Sequence, residues 1–240
     1  MRTSFNGYRM KTLGLIGGMS WESTVSYYKA LNQGINQRLG GLHSAKVLLS
    51  SVDFYEIERL QHKEQWDDAA DLLLKEAKAL ENAGAQGLVI CTNTMHKVAD
   101  YVSSNISIPL IHIVDATAEA LQKSNIDNVA LLGTKFTMEQ PFYSNRLHAQ
   151  FGIKVVIPTQ DQRDMIHSVI YNQLCKGMIC KDSRKQYIEV INALHEQGAQ
   201  GVILGCTEIA LLIKQEHTNV PVFDTTAIHA EKAVTFMLDG

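Results

Sequence analysis

The sequence is poor in features that would tie it to a membrane, to nucleic acid or to an oxidising compartment. No apolar run approaches the roughly 20 residues needed to cross a bilayer. Lysine and arginine number 22 against 25 acidic residues, for a formal net charge of −3. That leaves no basic footprint for a polyanion. The four cysteines, Cys91, Cys175, Cys180 and Cys206, lack the spacing of a disulfide framework. In a reducing compartment each reads as a small apolar residue or a nucleophile. Histidines His43, His96, His112 and His229 are scattered, and Cys175 and Cys180 have no second pair, so no metal is expected. Gly14-x-x-Gly17-Gly18 is not a dinucleotide fingerprint; it reads as a strand-to-helix turn that lets the backbone approach a small ligand. Met1 to Arg9 is polar and lacks the apolar core of a secretory signal, which implies a disordered extension on a cytoplasmic protein.

What is present is a repeat. Gly84-Ala85-Gln86-Gly87-Leu88-Val89-Ile90-Cys91-Thr92 recurs as Gly198-Ala199-Gln200-Gly201-Val202-Ile203-Leu204-Gly205-Cys206, at a constant offset of 114 residues. Each copy reads as a helix end, a glycine turn, a buried strand and then a polar corner. Ligands of open α/β sheets sit at the carboxyl ends of strands. The offset pairs Thr92 with Cys206 and leaves Cys91 one residue early. Successive strand residues face opposite sides, so Cys91 is expected to point away from the site.

Strand and helix patterns alternate from Lys11 onward, which predicts parallel sheets with helices on both faces. Strands are expected at Thr12 to Ile16, Ala45 to Val52, up to Cys91, and at Leu110 to Val114. The second half gives strands at Val129 to Leu132, Lys154 to Ile157, up to Gly205, and at Val220 to Phe223. Helices are expected, among others, from Ser20 (as cap) to Leu39, from Glu139 to Gln150 and from Ala227 onward. The duplication implies two similar parallel-sheet α/β lobes related by a pseudo-twofold axis, with the site in the cleft between them. Residues 10–114 form the first lobe, completed by 225–240; residues 115–224 form the second. No proline- or glycine-rich linker separates them, so they should pack closely.

The corner Cys206-Thr207-Glu208 stands at an expected helix start, where free amides and the helix dipole favour an anion and lower a thiol pKa. A thiolate serves as nucleophile or general base. Asn93 and Thr94 offer matching amides and side chains to a carboxylate.

Taken together, Gly17-Gly18-Met19-Ser20, Thr92-Asn93-Thr94-Met95-His96, Leu132-Gly133-Thr134, Gly205-Cys206-Thr207-Glu208 and Phe223-Asp224-Thr225 resemble the motifs of the aspartate/glutamate racemase family. The resemblance covers nearly everything after Met10. It implies a cofactor-independent racemase with two α/β domains, commonly a homodimer, acting on a small acidic amino acid. In that family two cysteines flank Cα, one removing a proton and the other returning one. Cys206 matches the second cysteine, and Thr92 stands where the family has its first. With a single thiol, the resemblance implies a preference for the L-enantiomer. It also implies that Asn93, Thr94, Thr207 and Glu208 hold the α-carboxylate and ammonium, that Met19 floors the cleft, and that Gln61 or Arg59 meets the distal carboxylate. A one-sided cysteine-dependent isomerase or decarboxylase, or an amino-acid-binding module without turnover, are the alternatives that the sequence leaves open.

Overall fold

The computed structural model describes residues 9–239. The extension expected over residues 1–9 falls, apart from Arg9, outside them. The chain forms two parallel sheets, each wrapped by helices. The first sheet has the order β2-β1-β3, from β1 (Leu13–Gly17), β2 (Val47–Ser51) and β3 (Gly87–Ile90). Its helices are α1 (Trp21–Leu39), α2 (Phe54–His62), α3 (Trp66–Asn82) and α4 (Ala99–Ser104), the last preceded by a 3₁₀ turn at Thr94–Val98. After α5 (Ile113–Lys123) the second sheet has the order β5-β4-β6-β7. Its strands are β4 (Asn128–Gly133), β5 (Lys154–Val156), β6 (Val202–Gly205) and β7 (Val222–Asp224). Between them run α6 (Lys135–Glu139), α7 (Pro141–Phe151), α8 (Gln160–Asn172), α9 (Lys181–Glu196) and the four-residue α10 (Ile209–Leu212). Helix α11 (Thr225–Leu238) closes the chain.

The repeat is visible bond by bond. Gly84 and Gly198 sit at φ of 98° and 101°, a conformation that suits glycine because it has no Cβ. Ala85 N donates to Leu80 O at 3.0 Å, and Ala199 N to Leu194 O at 3.1 Å, each one turn back into its helix. Gln86 Oε1 accepts from Thr12 N, and Gln200 Oε1 from Asp127 N and Asn128 N, so the same side chain ties each turn to the start of the neighbouring strand. Each sheet buries both faces, as parallel sheets do. In β3, Leu88 and Ile90 pack toward α3, whereas Val89 and then Cys91 pack toward α1 and α11. Ala230, Ala233, Val234 and Met237 of α11 cover Leu13 and Leu15 of β1, so the last helix leaves β7 and lies on the first lobe.

Some expected elements differ. Leu110 to Val114 forms only a single bridge, Leu88 to Leu110, because the His112 side chain accepts from Val114 N and turns the chain into α5. The helix expected over Glu139 to Gln150 is broken at Gln140, whose extended backbone (ψ 142°) precedes Pro141. Ser20 occupies the N-cap position of α1, but its hydroxyl makes no capping bond. Helix α2 follows the second strand, with Asp53 at its N-cap accepting from Tyr55 N.

Candidate active site

The carboxyl ends of β1, β3, β4 and β6 converge between the lobes. Met19, Gln61, Thr92, Asn93, Thr94, Cys206, Thr207 and Glu208 all line one cavity there. Ser20, Phe54, Thr134, Ile170, Tyr171 and Cys175 complete its walls. Arg59 does not reach it and lies exposed on α2. Cys91 does not reach it either, being fully buried among Leu13, Tyr27 and Val89. The cavity is tight, with about 30 Å³ of free space.

Hydrogen bonds hold each corner and tie it, directly or through Thr225, to the other lobe. Asn93 donates through Nδ2 to Thr225 Oγ1 at 3.0 Å, and Thr225 in turn donates to Leu204 O at 2.8 Å. The Thr94 and Thr134 hydroxyls meet at 3.0 Å. From the other side, Glu208 Oε1 accepts from the Ser20 hydroxyl of the first lobe at 2.5 Å. Glu208 Oε2 accepts from the Cys206 thiol at 3.0 Å and the Thr207 hydroxyl at 2.6 Å. Glu208 is therefore a buried carboxylate held by three donors, and Ser20 is spent on this contact rather than on capping α1. Gln61 donates through Nε2 to Met95 Sδ at 3.1 Å.

Thr92 is positioned from beneath. Its carbonyl accepts from His96 Nδ1 at 2.7 Å, and His96 Nε2 accepts from Ile113 N at 3.2 Å. Those partners fix the neutral tautomer with the proton on Nδ1. His96 is thus satisfied by the backbone and buried beside His112 and His229, with ring centroids 4.7 and 5.6 Å away. Burial and its neighbouring imidazoles hold it well below the ordinary histidine pKa. Asn93 Oδ1 is buried and has no hydrogen-bond partner, an acceptor aimed at nothing in the protein. A buried amide oxygen left unpaired typically costs about 1–3 kcal/mol, so a bound donor is the natural complement.

The thiol differs from expectation. A helix start stabilises a charge by roughly 0.3–1 kcal/mol, less than one pKa unit. Helix α10 is four residues long, too short to develop that field fully. Against it stand complete burial and the adjacent Glu208 carboxylate, which push the Cys206 thiol well up. The Cys206 thiol donates to Glu208 rather than standing at the helix start as a free anion. A Cβ on Gly18 would lie 2.2 Å from Val52 O, so this glycine also lets the end of β1 lie close against the segment after β2.

Sequence comparison places the chain. The family model described as Asp/Glu/Hydantoin racemase matches residues 16–233. The chain belongs to that racemase family. Its fold superposes on a Yersinia pestis protein assigned as an Asp/Glu racemase, at 53% identity and a TM-score of 0.90, covering 96% of this chain and 100% of that one. An aspartate racemase homologue from Pyrococcus horikoshii OT3 is 34% identical with a TM-score of 0.83, covering 95% and 99%. The broad-specificity amino-acid racemase RacX of Bacillus subtilis is 19% identical over 238 residues, 94% of this chain and 98% of RacX. The racemase family makes this chain an isomerase. Among the described residues, no group of histidines, cysteines and carboxylates could hold a metal, and no helix is long and apolar enough to cross a membrane.

Sequence reasoning missed Ser20 as a partner of Glu208, and Phe54, Ile170, Tyr171 and Cys175 as walls. Ser20 was visible as a hydroxyl beside Met19, but its helix-start position offered a sufficient local explanation. The others come from helices whose packing no strand-end motif reports.

Proposed function

We propose that the protein is a cofactor-independent racemase of a small acidic amino acid that works best from the L-enantiomer. The observation that carries this is the pair of equivalent corners, Thr92 and Cys206, lining one cavity from two lobes. In the proposed cycle the α-carboxylate lies against the amides and hydroxyls of Thr94, Thr134 and Thr207. The ammonium meets Asn93 Oδ1 and Glu208. Glu208 Oε2 takes the Cys206 proton across their 3.0 Å contact, and the resulting thiolate removes the Cα proton. The Thr92 hydroxyl supplies a proton to the opposite face; its oxygen regains one from solvent water, and Glu208 gives up the proton it took, so the starting state is restored. The hydroxyl is rarely ionised near neutral pH and is a poor base, so abstraction proceeds efficiently from one side only.

No lysine lines the cavity among the described residues, so the site offers no Schiff-base partner for a pyridoxal cofactor. A distal carboxylate would be met by the Gln61 amide rather than by a cation. A homodimer is part of the same reading. Trp21, Val25 and Tyr28 form an exposed apolar stripe on α1, 62%, 54% and 53% accessible, at the spacing of one helix face.

The test is solvent-deuterium exchange at Cα, followed at early times from each enantiomer of aspartate and glutamate, with chiral chromatography of the products. Deuterium entering while L-substrate is consumed faster than D, with no added cofactor, supports the reading. Equal early exchange from both enantiomers overturns its one-base part, and no exchange overturns the racemase assignment.

A further inference from the structure

The cavity between Thr92 and Cys206 is tight, with about 30 Å³ of free space. Directly outside it lies a second cavity of about 330 Å³, with His62, Glu64, Lys135, Phe136 and His167 in its walls. The two stand back to back. Gln61 and Thr134 face the inner one, and their chain neighbours His62 and Lys135 face the outer one.

The partition is a set of rings. His62, at the end of α2 in the first lobe, meets two rings of the second lobe edge-on. These are Phe136 of α6 at 5.8 Å and Tyr171 of α8 at 6.2 Å between centroids. Trp66 of α3 also meets Phe136, at 5.7 Å. His167 stacks on Tyr171 at 4.7 Å and backs Phe136 at 6.3 Å. Tyr171 is the inner face of this wall, since it lines the catalytic cavity, whereas Phe136 and His167 line the outer one.

The ion pairs of the wall residues stay within their own lobes. His62 pairs with Glu58 on its own helix, and Lys135 with Asp164 of the second lobe. Elsewhere the lobes are bolted together by Arg146 to Asp100, by Ser20 to Glu208, by Thr94 to Thr134 and by Thr225 to Leu204 O. Ring edges can part and re-form without leaving a charge unpaired. The wall is therefore where the cleft can open while the remaining fastenings hold.

We propose that the His62–Phe136–Tyr171 wall is the gate between the two cavities, and that its opening controls access to Cys206. The outer cavity carries both signs of charge, on Lys135 (itself paired with Asp164), Glu64 and Glu139, the chemistry a zwitterionic amino acid would meet. The proposal takes from the functional reading only the identity of the inner cavity.

The test reads thiol access, not turnover. Cys206 is labelled with iodoacetamide and, separately, with a fluorescein-sized maleimide, and the modified peptide is quantified by mass spectrometry. Wild type should discriminate strongly against the larger reagent. Phe136→Ala should raise labelling by the larger reagent about tenfold more than labelling by iodoacetamide, with Tm reported alongside. A second variant, His62→Ala, opens the same wall from the first lobe. It should raise labelling by the larger reagent about tenfold more than labelling by iodoacetamide, as Phe136→Ala does. Equal access of both reagents in wild type, or an unchanged ratio in either variant that folds, would overturn the gate. If Phe136→Ala does not fold, His62→Ala decides. Labelling of Cys206 can be read even in a protein without racemase activity, so failure of the gate and failure of the functional reading are distinguishable.

Discussion

The two corners of the cleft share a backbone and differ in chemistry. At both, a left-handed glycine turn leads into a buried parallel strand whose end delivers three polar residues to the same cavity. At Thr92-Asn93-Thr94 the side chains are neutral; Asn93 bonds to the Thr225 hydroxyl and Thr94 to the Thr134 hydroxyl of the other lobe. At Cys206-Thr207-Glu208 a thiol and a hydroxyl converge on one carboxylate. The first corner can hold and donate; the second can also accept a proton. The geometry is present twice, while a thiol and a carboxylate stand at one copy only.

Removing that thiol should have the largest effect. Cys206→Ala should lower Cα–H exchange by roughly 10³-fold or more, because a positioned acid–base group contributes about 10²–10⁴-fold. Ligand-induced thermal stabilisation should persist, since the amides remain. Appreciable exchange in Cys206→Ala would move the base elsewhere. Glu208→Gln comes next, with a loss of the order of 10²-fold in the same assay. It also carries a readout of opposite sign. Burial and Glu208 hold the Cys206 pKa above its ordinary value, so alkylation by iodoacetamide should still be rising with pH beyond the usual thiol range. Neutralising residue 208 removes one cause of the rise and should shift that limb toward lower pH even as turnover falls. A limb that stays put would disconnect the carboxylate from the thiol.

The pairing of corners was legible in the sequence because it is local. A glycine turn and an apolar strand fix where the next side chain points, and the 114-residue offset assigned Thr92 and Cys206 without a structure. The state of the thiol was not legible. It depends on how deeply α8 and α9 bury the β6 end and on a carboxylate two residues away, and motif reading weighted only the helix start. Ser20 was hidden for a related reason: its partner Glu208 lies 188 residues further along the chain, and no periodicity encodes that contact. The shortened strand at Leu110 was hidden because one histidine side chain, by capping α5, decides between strand and helix.

Making the corners alike should produce a smaller, asymmetric effect. Thr92→Cys places a second thiol opposite the first. Early-time deuterium exchange started from the D-enantiomer should rise about tenfold more than exchange started from the L-enantiomer, within the range expected for an added acid–base group. Equal kcat/KM for the two directions is required at equilibrium and says nothing here. A variant that accelerates both directions alike, or neither, would show that Thr92 does not limit proton traffic on its face.

The smallest effect on catalysis should come from the thiol nearest to Thr92 in the chain. Cys91 precedes it by one residue, and a register shift of one would exchange their places. In the fold Cys91 follows Val89 into the layer beneath α1 and α11, where it is fully buried and its pKa is pushed far up by burial alone. Its amide donates to Ile16 O at 2.9 Å and its carbonyl accepts from Ser23 Oγ at 2.9 Å, so the backbone is held independently of the side chain. Cys91→Ala should therefore leave exchange within about twofold of wild type and cost roughly 1 kcal/mol of stability, the ordinary scale for a point substitution. Urea unfolding and the exchange assay measure the two separately. A large loss of exchange with little loss of stability would put Cys91, not Thr92, opposite Cys206, and the two corners would then be chemically alike.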